Sequence, residues 1–208
     1  MLLFAPAYVY PATDPGFWDA LVSAPDRLAG VVLNPASGVG GAPDPVWEAA
    51  AEKVAAAGVP CYGYVDTAYA TRAHADVVAE VAAYRRWYRV EGVFFDQVSS
   101  GDRELPYFRR LGVAARELGA ARLALNPGVH PQPGYAGLAD VLVTFEGSQE
   151  EYGALQVPPW VREFPAERFC HLVYGATAPV GATALARHAA LSWSAPGGLP
   201  NPWQGACH

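Results

Sequence analysis

Lysine is almost missing from this chain of 208 residues: Lys53 is the only one. It falls in the middle of a helical stretch, not at a strand end. That argues against the Schiff-base chemistry by which a barrel lyase or isomerase would act on a small metabolite. Positive charge is scarce altogether, with 14 Lys and Arg against 20 Asp and Glu and a net charge of −6. A surface of that sign does not suit nucleic acid, and it favours a cationic ligand over an anionic one. Cysteine is limited to Cys61, Cys170 and Cys207, with no C-x-x-C spacing. That argues against a zinc site and reads as buried or incidental thiols, with a disulfide between two of them left open. No other grouping has metal-ligand spacing, so neither metal nor cofactor is expected. No apolar run reaches the roughly 18 residues of a membrane span. Met1-Leu2-Leu3-Phe4 has no basic flank and no long apolar core, so no signal peptide is read there. The expected location is the cytoplasm, or outside the cell if an export signal has been removed. A G-x-G-x-x-G after the first strand is also missing, which argues against a dinucleotide-binding open sheet.

What the chain does have is apolar residues, 52% of the total with only 16% charged. One domain spanning residues 1–208 can therefore bury a sizeable core, and a monomer is expected. Short apolar runs alternate with Ala-rich helical stretches. The runs are Leu2–Tyr10, Ala29–Leu33, Pro60–Val65, Gly92–Phe95, Arg122–Leu125, Val141–Phe145, Arg168–Tyr174 and Ala189–Trp193. The helical stretches are Gly16–Ser23, Pro45–Ala57, Ala73–Tyr88, Leu105–Leu118, Ser148–Leu155 and Val180–His188. Asp44 followed by Pro45 marks one helix start, and Gly58 marks its end. Continuous apolar strands separated by helices imply a parallel sheet covered on both faces. Eight such units predict an α/β fold: a compact (β/α)₈ TIM-like barrel, with a doubly wound sheet as the rival. Residues 195–208, rich in Pro and Gly, read as an irregular C-terminal tail.

Two of these runs stop on a carboxylate, Phe95 at Asp96 and Phe145 at Glu146. A carboxylate at the end of a buried strand is costly unless chemistry requires it. Strand C-termini in a parallel barrel share one face, where the site is built. Asp96 and Glu146 are therefore the candidate catalytic pair. The other strand ends supply Tyr10, Asn34, Tyr64, Tyr69 and Arg72, then Gln97, Asn126 and His130, and finally Tyr174 and Trp193. Polar groups mixed with flat rings suit a sugar, whose hydroxyls need hydrogen bonds and whose ring faces are apolar. All of these except Tyr174 are taken as substrate-binding candidates. Asp66 reads as a turn residue, and Ser37-Gly38-Val39-Gly40-Gly41 as a tight turn, since it lacks the Lys-Ser/Thr of a phosphate loop. His74, His171 and His188 read as structural or solvated.

Seven segments in order carry a family resemblance. They are Tyr8-Val9-Tyr10-Pro11, Leu33 to Gly40, Gly63 to Arg72, Tyr84-Arg85-Arg86-Trp87-Tyr88, Gly92-Val93-Phe94-Phe95-Asp96, Leu125-Asn126-Pro127-Gly128 and Thr144-Phe145-Glu146. Together they make the chain similar to the spherulin-4 (spherulation-specific family 4) proteins over about residues 4–175. That family is similar to the glycoside hydrolase family 135 and endo-α-1,4-galactosaminidase barrels. The resemblance implies a (β/α)₈ glycoside hydrolase cutting α-1,4-linked galactosamine and N-acetylgalactosamine in exopolysaccharide. It implies Asp96 and Glu146 as catalytic carboxylates, with Asn34, Tyr64, Tyr69, Arg72 and Asn126 in the cleft. The family commonly has Asp-Glu after the fourth strand, whereas this chain has Asp96-Gln97. Gln keeps the reach but carries no charge. The two expectations are thus a two-carboxylate, retaining hydrolase and a catalytically impaired carbohydrate-binding barrel.

Overall fold

The computed structural model describes residues 1–203. Eight parallel strands close into a barrel in sequence order: β1 Leu2–Ala7, β2 Leu28–Leu33, β3 Cys61–Asp66, β4 Gly92–Asp96, β5 Arg122–Leu125, β6 Val141–Ser148, β7 Phe169–Tyr174 and β8 Leu191–Ala195. Helices α1 Pro15–Ser23, α2 Pro45–Ala56, α3 His74–Tyr88, α4 Leu105–Glu117, α5 Gln149–Gly153 and α6 Gly181–Ala186 lie between strands. The expected TIM-like barrel is therefore the fold, and the open-sheet rival falls because β1 pairs with β8. All six expected helical stretches contain a helix. α2 starts on Asp44, whose Oδ1 accepts from the Val46 amide at 2.8 Å. No α-helix joins β5 to β6; a single 3₁₀ turn, Pro133–Gly137, does. Pro127, Pro131 and Pro133 remove the amide donors an α-helix needs there.

Side chains alternate along a strand, so every second residue enters the barrel. Phe4, Tyr62, Tyr64 and Phe94 obey this rule and meet inside. Phe4 lies edge-on to Tyr62 at 5.1 Å and stacks on Phe94 at 6.1 Å, and Tyr64 stacks on Phe94 at 6.2 Å. Four large rings fit a small barrel only where facing positions are empty. Gly92 supplies one gap, since a Cβ there would lie 2.5 Å from a Tyr62 ring carbon. Gly92→Ala should therefore overpack the interior and lower stability by about 1–3 kcal/mol. Urea unfolding checks this, and an unchanged midpoint would count against the tight interior.

Cys61 and Cys170 are buried free thiols, and burial raises both pKa values. They are not disulfide-bonded to each other; Cys207 lies outside the described residues. No helix among the described residues is long and apolar enough to cross a membrane. Among the same residues no three His, Cys, Asp or Glu side chains are grouped to hold a metal.

Candidate active site

The alternation that fills the barrel also builds its mouth. Counting by twos from Phe4, Gly92 and Ala124 leads to Tyr8, Asp96 and Asn126 at the C-terminal end. Asp96 is the last residue of β4 and begins no helix, because α4 starts after Glu104. β6 behaves differently from the sequence expectation. It runs on to Ser148 and slips register between Val143 and Phe145. Bulges of this kind re-aim side chains next to sites. Here Phe145 packs outward on Tyr152 at 4.8 Å, while Glu146 faces the mouth beside Asp96. Ser148, not Glu146, caps α5, in a capping box with Glu151.

Asn126 joins the two acids. Its Nδ2 donates to Asp96 Oδ1 at 2.7 Å and also to Glu146 Oε2. Two oxygens on one nitrogen are at most about 6 Å apart. The amide is held in that orientation because its Oδ1 accepts from the Gly128 amide at 3.0 Å. The Gly128 carbonyl in turn accepts from the Glu146 amide at 2.9 Å. Gly128 sits at φ +67°, a backbone state glycine adopts without strain. The Tyr64 hydroxyl donates to Asp96 Oδ2 at 2.7 Å, so both Asp96 oxygens are engaged.

These contacts divide the acids by proton affinity. Burial pushes Glu146 up to about 7, the Asp96 charge adds to it, and the Asn126 bond offsets part. Burial also raises Asp96, against hydrogen bonds from Tyr64, the Gln97 amide and Asn126 that favour its anion. Glu146 is thus poised to hold a proton near neutrality, while the hydrogen bonds at Asp96 favour its ionised form against the burial that raises it.

Two lobes of a cleft meet at this pair. One, of about 460 Å³, is lined by Tyr8, Asn34, Tyr64 and the tail residues Pro200, Asn201 and Trp203. The other, of about 370 Å³, is lined by Tyr69, Gln97, Asn126, Val129 and Tyr174. Asn34 also shapes its own loop, its Oδ1 accepting from the Gly38 amide at 2.8 Å. Tyr69 is 60% exposed on a turn where Ala68, Tyr69 and Ala70 all have positive φ, a strained conformation for side-chain-bearing residues. The Tyr69 amide donates to the Gln97 carbonyl at 2.7 Å, which ties that turn to the end of β4.

Four candidates are not brought to the cleft. Tyr10 lies past the end of β1, edge-on to Trp47 at 6.2 Å. β1 stops at Ala7, three residues earlier than expected, and Tyr8 takes the mouth position. Arg72 is committed elsewhere, to the Asp66 carbonyl at 2.6 Å and the Glu80 carboxylate at 2.9 Å. His130 turns toward Trp160 and His171, each 6.4 Å away, and burial lowers its pKa to about 4. Trp193 is 1% exposed, packs edge-on to Phe17 of α1 at 6.5 Å and lines neither lobe. Tyr8 was legible by counting in twos from Phe4. The tail residues, Leu199 to Trp203, carried no local signal.

Fold and site define a (β/α)₈ barrel with a bridged carboxylate pair at the strand C-termini, the face where such barrels carry their chemistry. Within that class the chain belongs to spherulation-specific family 4, whose family model matches residues 2–192. Spherulin-4 of Physarum polycephalum is 33% identical over 149 residues, 69% of this chain. The chain spans 44% of that relative's length. Among solved structures, Aspergillus clavatus Sph3, crystallised in complex with GalNAc, matches with a TM-score of 0.83 and 25% identity over 99% of this chain and 92% of that one. A chitinase from Chromobacterium violaceum shares the fold at a TM-score of 0.57 and 18% identity, over 82% of this chain and 67% of that one.

Proposed function

We propose that this barrel is a glycoside hydrolase that cleaves polysaccharide containing α-1,4-linked galactosamine or N-acetylgalactosamine, with retention. The observation that carries the reading is the Asp96–Asn126–Glu146 bridge, which holds two acids of different proton affinity over one cleft. Retaining enzymes use two carboxyls about 5–5.5 Å apart, and two acceptors on a single amide nitrogen are compatible with that spacing. Asp96 attacks the anomeric carbon as the glycosidic C–O bond breaks, and the Glu146 proton passes to the leaving oxygen. Glu146, now ionised, takes a proton from water, whose oxygen displaces Asp96 and frees the sugar. The relative solved with GalNAc supports the sugar class. Among the described residues no Lys or Arg lines either lobe, which favours a cationic amino sugar over an anionic one.

The binding-only reading rests on Gln97. The acid bridge is complete without the Gln97 side chain, and this favours hydrolysis. The test is release of reducing ends from α-1,4-galactosamine polymers by wild type and Asp96→Asn. Equal rates would remove Asp96 from the mechanism, and no release by wild type would leave the binding-only reading. A second outcome follows from proton affinity. Only the form with Asp96 ionised and Glu146 protonated is competent, so kcat/KM should fall as pH rises past about 7. A rate still rising at pH 9 would take the acid role away from Glu146.

A further inference from the structure

We infer that Leu199 is a specificity-determining residue that separates two sugar subsites on either side of the acid pair and selects a chain bent sharply at the bond between them. This rests on the hydrolase reading and adds which chain geometry the site accepts.

The family match ends at residue 192, yet residues 199–203 build a wall of the cleft. The base of this loop is pinched shut. A Cβ on Gly197 would lie 2.5 Å from the Pro202 carbonyl oxygen. The Gly197 carbonyl accepts from the Gly175 amide at 2.8 Å, and Asn201 Nδ2 donates to the Tyr8 carbonyl at 3.2 Å. Trp203 is buried edge-on to Tyr174, 6.2 Å away. The base is thus anchored to two sides of the mouth, with Leu199 at the tip.

Leu199 is 73% exposed, so it covers no core. Among the described residues it is the one, apart from Asp96 and Glu146, that lines both lobes. Any chain passing from lobe to lobe crosses the acids beside this apolar wedge. In an α-1,4-linked galactosamine chain both bonds at each linkage are axial, so successive rings fold sharply against one another. A β-1,4 chain of the chitin type, built on glucosamine, has both linkage bonds equatorial and runs straight. A wedge at the junction fits the first, presenting apolar surface to two ring faces, and obstructs the second. Selection by obstruction as well as contact is how specificity is commonly built.

The test compares wild type, Leu199→Ala and Leu199→Met on a tetramer of α-1,4-galactosamine, its N-acetylated counterpart and chitotetraose. Exposure of the side chain makes misfolding of these variants an unneeded concern, and circular dichroism checks it. Leu199→Ala should lose about tenfold or more in kcat/KM on the α-linked tetramers, the scale expected for lost apolar groups in a specificity pocket. Its α-to-β preference should narrow, and Leu199→Met should restore most of it. A preference in Leu199→Ala equal to that of wild type, or a wild type that prefers chitotetraose, overturns the inference. Absence of wild-type turnover overturns the hydrolase reading instead. The α-to-β ratio of calorimetric Kd values on the same proteins then decides the role of Leu199, and binding of neither tetramer rejects it.

Discussion

At pH 8, Glu146→Gln should be more stable than the parent protein while hydrolysing substrate about 10²–10⁴-fold more slowly. The two effects have one origin. The folded protein holds the Glu146 proton up to about pH 7, against a usual value of 4.5. Between these limits the folded state binds more protons than the unfolded chain, so stability falls as pH rises from about 4.5 to about 7. Above pH 7 the full cost of the buried charge is present, about 3 kcal/mol at 1.36 kcal/mol per unit. Gln keeps the shape and can still accept from Asn126 Nδ2 through its carbonyl oxygen, but it has no charge to bury. The gain should shrink below about 1 kcal/mol at pH 5, where the parent's Glu146 is already protonated in the fold. Urea unfolding of both proteins at the two pH values measures it. A Gln variant no more stable than the parent at pH 8 would mean that burial does not govern this carboxyl.

Asn126→Ala should act in the opposite sense and should also depend on pH. The lost amide leaves Asp96 short of one donor and leaves Glu146 without its bridging donor. Hydrogen bonds to charged groups are each worth about 1.5–3 kcal/mol, so a loss of about 2–4 kcal/mol is expected at pH 8. Two facing anions would then have nothing between them, and both pKa values should rise further. At pH 5 the penalty should be smaller, because a protonated Glu146 carries its own donor toward Asp96. Thermal unfolding at the two pH values, with the alkaline limb of the rate profile, tests this. A penalty that does not vary with pH would reduce Asn126 to ordinary packing.

Much of the frame was legible residue by residue. Apolar runs such as Gly92–Phe95 and Arg122–Leu125 begin and end within a residue of β4 and β5, because strands buried on both faces must be continuously apolar. Asp96, Asn126 and Tyr64 were legible as strand-end polar groups. Tyr10 and Trp193 lie away from the cleft because of where their strands stop and what packs on them. Composition marks an aromatic near a strand end, but the last residue of the strand and the helix that packs beside it are set by tertiary contacts. Tyr10 lies beyond β1, which stops at Ala7 and leaves Tyr8 to line the cleft, and Trp193 packs on Phe17 of α1. Arg72 misled differently: it is an unpaired cation in the sequence, yet it meets Glu80 across a loop.

The amino-acid order alone determined the alternation of strand and helix, the closed parallel architecture it implies, and which strands end on acids. These depend on local periodicity and on the cost of burying charge, both of which are written along the chain. Tertiary structure alone decided that one amide binds both acids, that a register slip in β6 turns Glu146 to the mouth, and that the tail forms a cleft wall. Those features join residues far apart in the chain, and distance in space has no local signature.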